Sequence, residues 1–182
     1  MCSSDLDYAL GALVGDGKVS KVVASFPAPS ATQFRERYLR GEIELELVPQ
    51  GTLVERIRAA GAGLGGFYTP TGAGTELAAG KESRVINGRE YLFEVPLHAD
   101  FVFLKAWQGD RLGNLMYRGT MRNFNMVMAT AGKTVIAEVE QIMPAGGIPP
   151  EQVHTPGLFV DRVVQVARHP RLLELPKEGG AA

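Results

Sequence analysis

Residues 42–75 read EIELELVPQGTLVERIRAAGAGLGGFYTPTGAGT, and few folds accommodate that order of signals. Between Glu42 and Val48, charged residues alternate with Ile43, Leu45 and Leu47, the period-2 pattern of a half-buried strand. Pro49-Gln50-Gly51 breaks the alternation, and Thr52 with Glu55 three residues on has the spacing of a capping box. Leu53, Val54, Ile57 and Ala60 give the following helix an apolar stripe, and Gly61 and Gly63 end it. Phe67-Tyr68 predicts a short strand running into Thr69-Pro70-Thr71-Gly72-Ala73-Gly74-Thr75. Strand, turn, helix, strand is the grammar of an α/β sheet, where ligands bind beyond the carboxyl ends of the strands. Gln50 and the loop 69–75 are therefore the first places to look for function.

The rest of the chain continues the pattern. Residues 7–14 predict a short helix ending at Gly15, and VSKVVASF (19–26) a buried strand. Ser30 can cap a helix through Arg40, stopped by Gly41; its Arg35, Arg37 and Arg40 form either an anion-binding cluster or a solvated face pairing with Glu36 and Glu42. Asn87-Gly88 between Arg84-Val85-Ile86 and residues 90–95 is a hairpin turn signal. ADFVFLKAW (99–107) is nearly continuously apolar, as in a strand covered on both faces. Gln108-Gly109-Asp110-Arg111 predicts a turn, and residues 113–117 a short or edge strand. Residues 120–131 predict a helix with Met121, Phe124, Val127 and Met128 as core filler. KTVIAEVE (133–140) predicts a strand, 143–150 a loop, 158–166 a strand or short helix, and the tail after Pro170 is expected to be loosely held. The expected architecture is one α/β domain, an open, mostly parallel sheet flanked by helices with an antiparallel hairpin insertion.

Charge and motif content exclude several functions. A net charge of −1 and a pI near 6.3 argue against an electrostatic grip on nucleic acid or an anionic membrane, and no apolar run approaches a membrane span. No secretory leader pattern opens the chain, so a cytoplasmic protein is expected. One cysteine allows no internal disulfide, and His98, His154 and His169 lie in different elements without metal-ligand spacing. His154 suits a capping or turn role. Gly61-Ala62-Gly63-Leu64-Gly65-Gly66 resembles a dinucleotide loop, but it follows a helix and precedes a strand, the reverse of what that motif needs. Glu138 and Glu140 share one strand face, as paired carboxylates or as a solvated surface. Gln50 has two readings: an ordinary residue of a βα turn, or an amide beside a helix N-terminus that donates to an oxygen becoming anionic. Gly72, Gly74 and Thr75 would let a chain-like ligand approach the backbone.

Several ordered segments carry a resemblance. They are ELVPQGTL (46–53), FYTPTGAGT (67–75), ADF (99–101) with Lys105-Ala106, and GDRLGNL (109–115). Tyr117-Arg118, RNFN (122–125), MATA (128–131) and VHTPG (153–157) follow. Together they resemble the A subunit of the 3-oxoacid CoA-transferases, with HTPG and NFN leaning to the succinyl-CoA:3-oxoacid type. The resemblance implies ping-pong transfer of CoA, from an acyl-CoA such as succinyl-CoA to a 3-oxo acid such as acetoacetate, through a glutamyl-CoA thioester. It places the nucleophilic glutamate on a partner, the CoA-transferase B subunit, so no residue of this chain is expected to be catalytic in that sense. It implies a hetero-oligomer, no permanently bound cofactor or metal, and CoA thioester and carboxylic acid as substrates. Gln50 is the implied substrate-binding residue; Tyr68, Thr69, Gly72 and Gly74 are possible lining of the site.

The resemblance also implies a departure. Its members open with a strand and a Gly-Gly-Phe-Gly type loop that have no counterpart here, so a first strand-helix portion is expected to be missing. Residues 1–6, MCSSDL, resemble a reading frame of a sequencing-adapter oligonucleotide and are expected to be non-native. The domain itself is expected over 7–170, with 171–182 as tail. On this view the chain alone is poorly stable and inactive, because a missing strand exposes neighbours in a sheet. Two other functions remain compatible with such a domain: a sugar-phosphate isomerase-like or ligand-sensing protein, and a non-catalytic interaction module. The former needs an acid/base pair and a phosphate loop, neither of which is found.

Overall fold

A computed structural model describes residues 9–27 and 31–166, in two compact units, Met1–Leu97 and His98–Ala182. Ser30, residues 1–6, His169 and the tail lie outside the described residues.

In the first unit, helix α1 (Ala9–Gly15) leads to strand β1 (Lys21–Ala24), helix α2 (Thr32–Leu39) and strand β2 (Glu44–Leu47). β1 and β2 pair in parallel, Lys21 opposite Glu44 and Ala24 opposite Leu47, so α2 is the crossover that parallel pairing requires. Val14, Val22, Ala24, Ala31, Phe34 and Ile43 form the core between these elements. Phe34 is 2% exposed, a burial that contributes about 1.5–3 kcal/mol. Two of the three arginines, Arg37 and Arg40, are structural. Arg37 donates to the carbonyls of Val14 (2.8 Å) and Gly15 (2.9 Å), satisfying the C-terminal end of α1, and Arg40 pairs with Glu42 at 2.6 Å.

Helix α3 spans Gln50–Gly61, three residues earlier than a Thr52 cap would place it. The Pro49 carbonyl accepts from Leu53 N (2.8 Å) and closes the first turn, so Thr52 lies inside the helix, 4% exposed, and Glu55 pairs with Arg58. The glycine stop is as expected. Gly63 takes φ +67°, its N–H reaches the Ala60 carbonyl and Leu64 N–H reaches that of Ala59, a Schellman closure.

The strand after this helix, β3 (Phe67–Thr69), does not extend the parallel sheet. It pairs antiparallel with β5 (Arg89–Glu94), itself paired with β4 (Ser83–Ile86), giving the order β3-β5-β4. Gly66 makes this possible, since a Cβ there would stand 2.3 Å from the Phe93 ring. The β4–β5 turn is the expected one, with Asn87 at φ 51° and Gly88 at φ 77°. A network of charged side chains crosses this unit. Arg56 of α3 donates to the Val95 carbonyl (2.9 Å) and to Glu46 (2.7 Å), and lies 4.0 Å from Glu94, which also pairs with Lys81.

The second unit is a four-stranded sheet ordered β7-β6-β8-β9: β6 (Ala99–Asp110), β7 (Leu115–Met116), β8 (Gly132–Met143) and β9 (Arg162–Gln165). β6, β8 and β9 are parallel; β7 is antiparallel to β6. Val102, Leu104 and Ala106 of β6 meet Val135, Ala137 and Val139 of β8 in the core, with Met121 and Met128 packed against them. The expectation of burial on both faces fails for β6, where Phe101 is 64% and Phe103 66% exposed. An unbroken apolar run reads the same whether one face or both are covered. The helix expected over 120–131 is also shorter. A 3-10 turn (Gly119–Arg122) precedes α4 (Asn125–Met128). Asn125 Nδ2 donates to the Met121 carbonyl (2.7 Å), the acceptor its own backbone N–H would use in a continuous helix. No helix among the described residues is long and apolar enough to cross a membrane.

Candidate functional site

Gln50 is the first residue of α3, immediately beyond β2 and Pro49. Its side chain is exposed and enters none of the hydrogen bonds among the described residues. The first backbone N–H groups of a helix lack intrahelical partners, and the helix dipole adds partial positive charge there. Beside them Thr52 Oγ1 is buried without a partner. A free amide donor and open N–H groups stand at the carboxyl end of a parallel strand pair, an arrangement suited to an oxygen carrying negative charge, while the buried Thr52 hydroxyl is closed off from it.

The loop after β3 is differently employed. Thr69 Oγ1 accepts from Thr71 N (3.2 Å), and Thr75 Oγ1 donates to the Gly72 carbonyl (2.7 Å) while accepting from Leu77 N (3.2 Å), capping the 3-10 turn Glu76–Ala78. Gly72 and Gly74 take φ +88° and +71°; a Cβ at Gly74 would meet nothing within 4 Å, so that backbone is open. Tyr68 is engaged by its neighbours: its hydroxyl donates to Glu82, its ring lies 5.2 Å from Phe93, and Arg84 stacks over it at 4.9 Å. The Glu82 carboxylate, then partial burial, raises the Tyr68 pKa, so its proton is held. Gln50, Tyr68, Thr69, Gly72 and Gly74 all lie in the first unit, and no hydrogen bond among the described residues joins Gln50 to the loop.

In the second unit, polar side chains close the turn between β6 and β7. Asp110, fully buried, accepts from Leu112 N (3.0 Å), Asn114 N (2.9 Å), Asn114 Nδ2 (2.9 Å) and Gly146 N (3.3 Å). Asn114 Oδ1 accepts from Gly157 N (2.9 Å), and Tyr117 OH shares a hydrogen bond with Thr155 Oγ1 (2.8 Å). His154 has the turn role expected of it: Nδ1 accepts from Tyr117 N at 2.8 Å. Glu138 is exposed and Glu140 half-buried on β8, and no group of three or more possible metal ligands exists among the described residues. The sequence places Asp110 in a turn but carries no sign that its carboxylate gathers backbone from residues 112, 114 and 146.

Gly157 is fixed by the same closure. A Cβ there would stand 2.1 Å from the Leu112 carbonyl oxygen and 3.1 Å from Asn114 N, both rigid backbone. Gly157→Ala is expected to lower stability by about 1–3 kcal/mol, read as a shifted urea midpoint. Gly51→Ala, in open space and ordinary helical geometry, should be neutral or slightly stabilising. Equal midpoints for the two variants would show that the close approach carries no energetic weight.

The coenzyme A transferase family model matches residues 3–166. The chain belongs to the coenzyme A transferase family. Among curated coenzyme A transferases it is 56% identical over 162 residues to the A subunit of the 3-oxoadipate CoA-transferase of Pseudomonas putida, covering 88% of this chain and 70% of that one. It is 47% identical over 173 residues to the A subunit of the probable succinyl-CoA:3-ketoacid coenzyme A transferase of Bacillus subtilis (strain 168), covering 95% and 72%. A solved acyl-CoA transferase of Escherichia coli O157:H7 (YdiF), a thioester complex with CoA, shares the fold with a TM-score of 0.78 at 22% identity, over 97% of this chain and 39% of that one. The expected α/β coenzyme A transferase architecture is thus borne out, and the chain spans about seven-tenths of the length of these two bacterial relatives.

Proposed function

We propose that this chain is the A subunit of a cytoplasmic coenzyme A transferase that moves CoA from succinyl-CoA to a 3-oxo acid, completed by a B subunit. The free amide of Gln50, beside the open N–H groups of α3, carries this reading. A glutamate of the B subunit attacks the acyl carbonyl and expels the CoA thiolate, leaving a mixed anhydride. The thiolate then attacks the glutamyl carbonyl, the donor acid departs, and a glutamyl-CoA thioester remains for the acceptor acid to reverse the sequence. Gln50 donates to the substrate carboxylate or to the thioester and anhydride oxygen, and the loop around Gly74 lets substrate lie against backbone. The chain by itself lacks the nucleophile and is inactive.

The higher identity to a 3-oxoadipate enzyme favours a second acceptor, with an additional carboxylate, over acetoacetate. Co-expression with the reading frame encoding the B subunit, followed by assays with succinyl-CoA and each acceptor, distinguishes them. Gln50→Ala in the complex is expected to reduce kcat/KM about 10- to 100-fold, the loss of one hydrogen bond to a charged group. Absence of transfer with either acceptor, or an unchanged Gln50→Ala enzyme, refutes the proposal.

A further inference from the structure

We propose that Arg122 and His154 form a seat for an oxyanion, a carboxylate or a phosphate, on the second unit. Leu115 fixes the His154 backbone, and Tyr117 fixes its ring twice. The His154 N–H donates to the Leu115 carbonyl (2.9 Å), its ring stacks on Tyr117 at 5.9 Å and 13°, and Nδ1 accepts from Tyr117 N at 2.8 Å. A backbone N–H only donates, so Nδ1 must present its lone pair and the neutral ring carries its proton on Nε2. Arg122 Nη2 lies against that same Nε2. Guanidinium has no acceptor, so two N–H donors face each other across this contact.

No carboxylate lies within ion-pair distance of Arg122 among the described residues, and its side chain is exposed. Protonation of His154 does not relieve the contact. It would add a cation beside a cation, and would cost the hydrogen bond from Tyr117. Burial first, and then the neighbouring Arg122 charge, hold the His154 pKa below its ordinary value and keep the ring neutral. The arrangement lacks an acceptor with two lone pairs and negative charge. The exposed Arg122 side chain can swing aside, so that an oxyanion seated beside the ring accepts one hydrogen bond from Nε2–H and a charge-assisted one from the guanidinium. Arg118, at the start of the same turn, stacks its guanidinium on Trp107 at 5.1 Å and is otherwise employed.

The test is direct binding and does not depend on transferase activity. The full chain, labelled with 15N, is titrated with inorganic phosphate, with succinate and with chloride as control, while the imidazole nitrogens of His154 are followed by NMR. Nε2 should shift saturably with phosphate or succinate and not with chloride, with Nδ1 remaining the unprotonated nitrogen. Arg122→Gln should weaken that binding about tenfold or more while leaving the Tyr117 amide signal in place, and Arg122→Lys should recover part of the loss. A response to phosphate alone assigns the seat to a phosphate group, and a response to succinate alone to a carboxylate. No saturable shift with either anion, or equal binding by wild type and Arg122→Gln, overturns the proposal.

Discussion

Arg56→Met is expected to lower the unfolding free energy of this chain by about 3–5 kcal/mol, the cost of removing one partner from a buried charge network. Arg56 and Glu94 have side chains only 8% and 4% exposed. Methionine matches the aliphatic part of arginine but leaves the Val95 carbonyl without its donor and Glu46 without its 2.7 Å partner. Glu94 would retain only Lys81, which is itself 30% exposed. The Arg56 hydrogen bond is the main reason the Glu46 carboxyl is held below the usual carboxylate range, so Glu46 should titrate at higher pH in the variant. Urea unfolding of wild type and variant reads the effect, and adding Glu94→Leu should restore stability in part, because an apolar replacement removes the stranded charge. A single-variant loss under about 1 kcal/mol would place Arg56 with surface ion pairs instead.

Asp110→Asn should cost about 2–4 kcal/mol, because an amide offers one acceptor oxygen where the carboxylate offers two and brings a donor into a ring of donors. Burial by itself pushes the Asp110 carboxyl up. The hydrogen bonds from Asn114, Leu112 and Gly146 outweigh it, and the net pKa is lowered. A carboxyl whose folded value lies below its unfolded value of about 3.9 contributes stability above the unfolded value and loses it as pH falls through the folded one. The stability gap between wild type and Asp110→Asn should therefore stay constant from pH 7 to about pH 5 and narrow below about pH 4. Unfolding curves over that range check it, and a gap that widens on acidification would contradict the assignment.

What the sequence displayed was local. The alternation before Pro49, the glycine stop after Gly61 and the Asn87-Gly88 turn each act within a few residues, and the structure places strand, helix end and hairpin there. What it hid was the choice among distant partners. Phe67–Thr69 can add to a parallel sheet or to a hairpin with the same side chains, and the Phe93 ring against Gly66 accompanies the second choice. Helix 120–131 failed because Asn125 spends its amide on a backbone carbonyl, a competition that apolar periodicity does not record. Gln50, in the candidate site, stood out through its position after a strand, whereas the Arg122–His154 pair of the second unit joins residues 32 apart in sequence, which no local pattern marks.

The open side of β6 governs how this protein must be handled. Phe101 and Phe103 stand two residues apart on one face of β6 and both face solvent, while the whole chain carries a net charge of only −1. Electrostatic repulsion between molecules is correspondingly weak near neutrality, so sticky collisions are opposed by little. Colloidal stability is therefore best sought at mildly alkaline pH, well above the pI of about 6.3, and at low salt, where like charges are least screened.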